Sequence, residues 1–454
     1  MKTSHKLSSL LAWIGLTLVV APQSLAGQGR LNLNKSGVFL KVSCEPGSPF
    51  QSIQSAIDAA SEGDTIVVEP CIYHELINFQ GKSITVRSED PSNPAVVAKT
   101  VIDGEALYTS AVVTFDHQEG SKAVLDGLTI RNGWDGGIEC FNSSPSVRNC
   151  VIENNGIPAF FLIGRSGIFC SGGSPQFLRC IVRGNSAERG GGIHAFDSAP
   201  LIEECFFYGN ATSFFAPSEG GGGYFSSSIN DLPGPLVRDT VFEGNWSHQG
   251  AGVYLDRVSA RFDRCIIRKN HAVDKGGGIG AYDSTAEFLN CGIVENTGVF
   301  NGGGLYLVND HSNLRNCTVA FNSTFPNYFT RGGGIFAIGS NQNRLSNCVF
   351  WGNEASEGPQ IALYCIALHG TVQVDYCDMQ GGSGGVASLG GATFLWGPGN
   401  LELDPLLLDG IHLKDISPLR NAGDPSFVPS SGETDIDGDP RVQEGRVDMG
   451  CDEL

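Results

Sequence analysis

The chain has 454 residues, with 29 Lys and Arg against 48 Asp and Glu, for a formal net charge of −19. That balance leaves no basic surface to displace counterions from phosphates, which argues against a nucleic-acid partner. The 61 glycines, about twice ordinary usage, follow no G-x-y period and stand beside only 21 prolines, so collagen-like and disordered Gly/Pro chains are excluded. An apolar content of 41% suffices for a packed core, and the length fits several domains or one repeat array.

In chain order, residues 1–26 read as a signal peptide. Lys2, His5 and Lys6 form a basic start, residues 10–20 an apolar run, and Ser24-Leu25-Ala26 a small-x-small cleavage site. The apolar run is too short to span a bilayer and no later stretch qualifies. The expected location is therefore secreted, periplasmic or cell surface, with no transmembrane segment. After a lead segment at 27–44, Ser48 is positioned to cap a helix over about 49–62, with Ile53, Ala56, Ile57 and Ala60 on one face and Gly63 ending it. The strings "DTIVVEP" and "KSITVRS" follow as the first predicted strands.

One unit then recurs: "SGIFCSGGSPQFLRCIVRGN", "GGGIHAFDSAPLIEECFFYGN", "GAGVYLDRVSARFDRCIIRKN" and "GGGLYLVNDHSNLRNCTVAFN" are variants of it. Each has glycines, an apolar residue, a polar turn, a Cys, an apolar residue two further on, and an Asn. The Asn position falls at Asn132, Asn155, Asn185, Asn210, Asn245, Asn270, Asn296, Asn322 and Asn353. The Cys position falls at Cys150, Cys180, Cys205, Cys265, Cys291, Cys317 and Cys348, with Gly127 and Thr240 standing in. Around each Cys the pattern has period two, pointing Phe262, Cys265 and Ile267 inward and Arg268 outward. Short strands in coils of constant core and variable loops are thus predicted over 45–400: an all-β parallel solenoid. Stacked coils place equivalent residues roughly 4.8 Å apart, making the Cys row an internal filling and the Asn row a hydrogen-bonded edge. In-register parallel neighbours are poorly placed for an unstrained disulfide, so the Cys row is expected to stay reduced. Cys44 and Cys71 lie outside the row on either side of the predicted helix, and are the pair expected to bridge. In the turn before the first strand of each coil, Asp197 and Asp283 share a position with Asn142 and Asn309 and read as turn formers.

The string "IQSAIDAASEGDTIVVEPCIYHE" followed by "GKSITVRSE", together with the repeated GGG-I … C-x-[apolar]-x-x-N unit, resembles secreted right-handed parallel β-helix proteins of the pectin-lyase-like superfamily. The repeats are also similar, more weakly, to those of chlamydial polymorphic outer-membrane proteins. The tail from "DPLLLDGIHLKDISPLRNAGDPS" to "TDIDGDPRVQEGRVDMGCDE" is similar to the closing segment of bacterial β-helix proteins, which sets a boundary near 401. The resemblance implies the fold with its N-terminal capping helix. It leaves activity open among lyases, hydrolases and adhesins.

A lyase of that superfamily needs a Lys or Arg base beside a neutralised carboxylate, and a hydrolase clustered aspartates with N-T-D and D-D strings. None of these strings is present. The outward row three residues after the Cys position contains Glu153, Arg183, Tyr208, Glu243 and Arg268. Of these, Arg183, Tyr208, Glu243 and Arg268 are the weak catalytic candidates, a base, a phenol and a carboxylate able to act on a sugar. No metal ligand set is assigned. Asp435, Asp437 and Asp439 match the start of a calcium loop, but Gly438 is misplaced and Arg446 stands where a bidentate Glu is required, so only a looser calcium site is retained.

Three loops between the Asn and Gly rows are extended and aromatic: 156–165 with Phe160 and Phe161, 211–221 with Phe214 and Phe215, and 323–332 with Phe325, Tyr328 and Phe329. Trp246 and Phe300 lie in shorter loops between them. Clustered surface rings call for an explanation: either they fold back over the outward row Val151, Ile181, Phe206, Val241 and Ile266, or they form a stacking platform for sugars. The expected role is recognition of extracellular or cell-envelope polysaccharide by a monomer without a resident cofactor. The alternatives are a polysaccharide lyase or glycoside hydrolase, and a structural or adhesive surface protein.

Overall fold

The computed structural model describes residues 37–105, 110–156, 165–213, 218–229, 232–325, 329–339, 341–365 and 370–454. The expected signal peptide lies outside them. Residues 37–454 form one compact unit, a stack of parallel coils with three long sheets. The first face has fourteen strands, from Phe39–Val42 to Thr393–Trp396. The second has twelve, from Cys71–His74 to Asp378–Met379, and the third twelve, from Ile77–Asn78 to Val386–Leu389. A six-strand ladder, Ser186–Ala187 to Ser323–Thr324, forms the corner between the second and third faces. Among the described residues no helix is long and apolar enough to cross a membrane.

The period-two pattern dictates this arrangement. Phe177, Ile202, Val237, Phe262, Phe288, Leu314, Leu345 and Val374 follow one another in register on the first face, all buried. Inside the stack, Phe207 lies parallel to Phe242 with centroids 4.9 Å apart, and Phe262 to Phe288 at 5.0 Å. The Cys row is buried in line and gains Cys377, whose Sγ accepts the Cys348 N–H at 3.2 Å. Burial holds the Cys150, Cys180, Cys291, Cys317 and Cys348 thiols well above their ordinary range, so they stay neutral and unreactive. Cys44 and Cys71 form a disulfide; every other cysteine is free and buried.

The Asn ladder runs from Asn155 to Asn353. Each Nδ2 donates to a carbonyl of the preceding coil and to the Oδ1 of the next rung, 3.0 Å for Asn245 to Asn270, until Asn353 ends the ladder on Gln360 Oε1. Asn132 is not a rung. Val151 pairs with Thr129, which puts Gly133 opposite Asn155 and leaves Asn132 bound to Asp103. The same one-residue shift puts Leu128, not Gly127, in the Cys row. Nor are the rungs themselves left-handed: positive φ falls on the residue before each, as at Lys269 and Glu295. At Asn142, Asp197, Asp283 and Asn309 the turn residues do adopt positive φ.

At the N-terminal end the helix α1, Ile53–Ala59, is shorter than predicted. Its cap is Ser52, whose side chain accepts the Ser55 N–H, because Phe50 is extended and bridges Val42. The first strand, Phe39–Val42, precedes the helix instead of following it, and lies in the lead segment. The C-terminal segment 401–454 turns back along the outside of the second face. Ile411 and Cys451 pack on Val294 and Ala320, while Leu413, Leu419 and Met449 pack on Val349.

Candidate functional site

The four weak catalytic candidates stand side by side, as Arg183, Tyr208, Glu243 and Arg268 occupy one register line on the second face. They are engaged with one another and with their neighbour. Arg183 Nε donates to Glu153 at 2.7 Å and Nη1 to Tyr208 at 3.1 Å, and Arg268 Nη2 donates to Glu243 at 2.7 Å. The row is an ion-pair ladder on a flat face.

At the corner, Phe160, Phe161, Phe214, Phe215 and Tyr328 lie outside the described residues. Trp246 is half-buried on the corner ladder between Ala211 and His271. Phe300 and Phe325 are 40% and 42% exposed, and Phe329 is 92% exposed, too bare to be a lid. Beside them runs the line Arg189, Glu219, Gln249, Lys275, Asn301, Arg331 and Glu357, one residue before the glycines of each coil. Glycine is required immediately inside that line: Gly276 has a φ of +65°, and a Cβ on Gly304 would stand 2.6 Å from the Gly334 carbonyl.

Beyond the glycines, the third face carries an aromatic row that the sequence reading passed over: Phe169, His194, Tyr224, Tyr254, Tyr306 and Phe336. The signal was present, since each follows the apolar residue after the glycine run, except Tyr224, which follows Gly223 directly. Tyr224 stacks on Tyr254, and Tyr306 on Phe336, both at 5.8 Å. Arg189 lies 5.5 Å over Tyr224, Lys275 5.3 Å over Tyr306, and Arg331 5.8 Å over Tyr364. Tyr224 donates to Asp256 at 3.1 Å. Burial, with the charges of Arg189 and Arg165, lowers His194 to about 4, so the imidazole is neutral. Exposed rings at the corner thus adjoin a third-face row in which Tyr224 and Phe336 are buried and Phe169, His194, Tyr254 and Tyr306 half-buried, with N–H donors and acidic acceptors between them.

A separate cleft of about 280 Å³ opens between the first face and the C-terminal segment. Arg315, Arg344, Gln373, Asp375, Tyr376, Asp424 and Phe427 are among its lining. Arg344 and Gln373 both donate to Asp375 Oδ2, at 3.2 and 2.8 Å, while Arg315 pairs with Glu433 at 3.0 Å and lies over Phe427. Its size sits just under the ~300–1,000 Å³ usual for ligand pockets.

The calcium-like loop is organised differently from the expectation. Asp435 is fully buried and its carboxylate accepts the backbone N–H groups of Asp437, Asp439 and Glu453. Asp437 instead joins His412 and Asp452, and a second trio is Asp116, His117 and Glu119; both have ligand atoms close enough to hold a metal ion such as calcium.

This architecture is that of a right-handed parallel β-helix. The family described as "Right handed beta helix region" matches residues 47–212 and 201–394, and the chain belongs to it. Among solved structures it is similar to pectate lyase Pel9A at 16% identity, covering 92% of this chain and 98% of that one with a TM-score of 0.42. The A-module of Azotobacter vinelandii mannuronan C-5 epimerase AlgE6 matches at 13%, covering 78% and 94%, TM-score 0.39. A pectin methylesterase mutant in complex with a hexasaccharide matches at 15%, covering 55% and 78%, TM-score 0.35. No curated protein matches the chain.

Proposed function

We propose that this is an exported glycan-binding β-helix that holds an extended polysaccharide along the corner and the adjoining third face. The observation that carries the reading is the run of exposed rings Phe300, Phe325 and Phe329 beside Lys275, Asn301 and Arg331. Aromatic faces take the CH side of a sugar, and the flanking N–H groups and carboxylates take its hydroxyls. In this reading Trp246 contributes to the same corner, and Phe160, Phe161, Phe214, Phe215 and Tyr328 extend it by their place in the repeat. Stacking worth ~1–3 kcal/mol per ring predicts weak, multivalent binding that changes little with salt. Against a panel of soluble polysaccharides, Phe325→Ala with Phe329→Ala is expected to weaken binding roughly tenfold or more while the melting temperature holds. Unchanged binding to the wild-type ligand would overturn the reading.

A second reading, a polysaccharide lyase or glycoside hydrolase, is favoured by the first-face cleft, where Asp375 and Asp424 line one cavity with Arg344 at its edge. Two carboxylates about one bond are what glycoside hydrolysis requires. The same panel scored for released reducing or unsaturated ends separates the two: release abolished by Asp375→Asn but retained in the Phe325/Phe329 variant assigns the chemistry to the cleft.

A further inference from the structure

The two ends of the coil stack are finished differently. At the N-terminal end α1 packs on Phe39–Val42, Thr65–Val68 and Ile77–Asn78, and Val42 beneath it is fully buried. At the other end, among the described residues, only a single 3-10 turn, Gly382–Gly385, lies against Asp378–Met379 and Val386–Leu389. Val386–Leu389 and Thr393–Trp396 are the terminal strands of the third and first faces, each paired on one edge only. A core row runs out into solvent there: Val374 is fully buried, but Trp396, next in the same register line, is 40% exposed, while Leu395 on the outward line after Gln373 is 44% exposed. Phe394 and Trp396 pack against each other with centroids 6.1 Å apart across this open end.

Composition changes at the same place. Residues 379–401 contain no Asp, Glu, Lys, Arg or His, in a chain whose net charge is −19. Open sheet edges in soluble proteins are normally blunted by charge, especially Lys, or covered. Here both devices are used at the first end and neither at the last: Lys41 stands on the N-terminal edge strand, and α1 covers its core side.

We propose that the open end is an interface with a second copy of this chain, meeting end to end about a two-fold axis so that Thr393–Trp396 of each copy pair antiparallel. The capped end cannot receive the open one, so a head-to-tail stack is blocked and the self-complementary contact is the one left. Such an isologous contact closes as a dimer instead of growing into a fibre. Two copies this acidic repel over most of their surfaces, and the end coil is where they meet without opposed charges. The proposal departs from the monomer expected from the sequence, because an exposed core row becomes visible only once the coils are stacked.

Sedimentation velocity of the full mature protein between about 1 and 100 μM is the test. A dimer is expected for the wild type. Thr393→Lys with Leu395→Lys, both on the outer side of the edge strand, should give a monomer whose circular dichroism spectrum matches the wild type and whose melting temperature no longer depends on protein concentration. Leu395→Cys should form a disulfide-linked dimer on mild oxidation, whereas Phe39→Cys at the capped end should not; this readout stands if the lysine variant fails to fold. A wild type that is monomeric throughout, one that grows into open-ended oligomers, or a dimer that survives the lysine pair would each overturn the proposal.

Discussion

The two halves of the second face share one strand template and differ in what lies on it. In the first half, outward Val151, Ile181, Phe206 and Val241 are half-buried and the next row is Glu153, Arg183, Tyr208, Glu243 and Arg268. In the second half that same row becomes Val294, Ala320 and Trp351, and the C-terminal segment lies across it. Gly292 leaves room for Ile411 above it: a Cβ there would stand 3.1 Å from Ile411 Cδ1, and the isoleucine would have to shift by a few tenths of an ångström. Outward positions of a solenoid are thus not uniformly solvent. A change from charged to apolar at a constant repeat position marks where another part of the chain docks.

The largest expected effect comes from carrying the open half's chemistry into the covered half. Ala320 is fully buried against Ile411 and Cys451. Ala320→Asp would bury an unpaired carboxylate and should cost about 3 kcal/mol or more, read by denaturant titration. Glu243→Ala, at the equivalent position of the open half, should stay within about 0.5 kcal/mol. Equal costs at both positions would erase the distinction.

The covered half should also carry the pH dependence. Burial raises Asp378, Asp452 and Glu453 each to about 7. Burial alone would lower His412, but hydrogen bonds to Asp409 and Asp437 raise it to about 10. The raised carboxyls are protonated in the docked state, so their contribution is full below their ordinary values and declines as the pH rises towards 7. His412 adds in the same direction, its contribution being full below about 6.5 and lost as the pH rises through 10. The melting temperature should therefore fall from pH 5 to pH 8, with faster hydrogen exchange in residues 401–454. A rise over that range, or a change confined to the open half, would break the comparison.

The smallest effect belongs to the open half's ion ladder. Arg183 is 42% exposed at its side chain. Its removal by Arg183→Ala should cost less than about 1 kcal/mol. A loss of several kcal/mol would mean that the row bears load as the covered half does.

Much of the molecule was legible because a coil of fixed circumference imposes its period on the chain. Cys265, Asn245 and Phe262 each recur at the spacing their stacked positions demand, so fold class, ladders and outward rows follow from counting. Register was harder: DGLTIRN fits the repeat in two ways one residue apart, and only backbone pairing to Val151 shows that Leu128 and Gly133 hold the row positions. The corner rings Phe325 and Phe329 were legible as unusual surface residues, while Tyr254 and Tyr306 were not, because an aromatic after an apolar residue such as Val253 or Leu305 reads as core until the strand's facing is known.

What the sequence determined alone was everything carried by local period: strands, inward rows, and the identity of the side chains in each line. Tertiary structure alone decided which outward line is covered and which is bare, since docking of Ile411 on Val294 joins residues far apart in the chain through shape and burial. The same holds for the two ends. Whether Trp396 is core or surface depends on the presence of a next coil, and no pattern inside residues 393–396 records that.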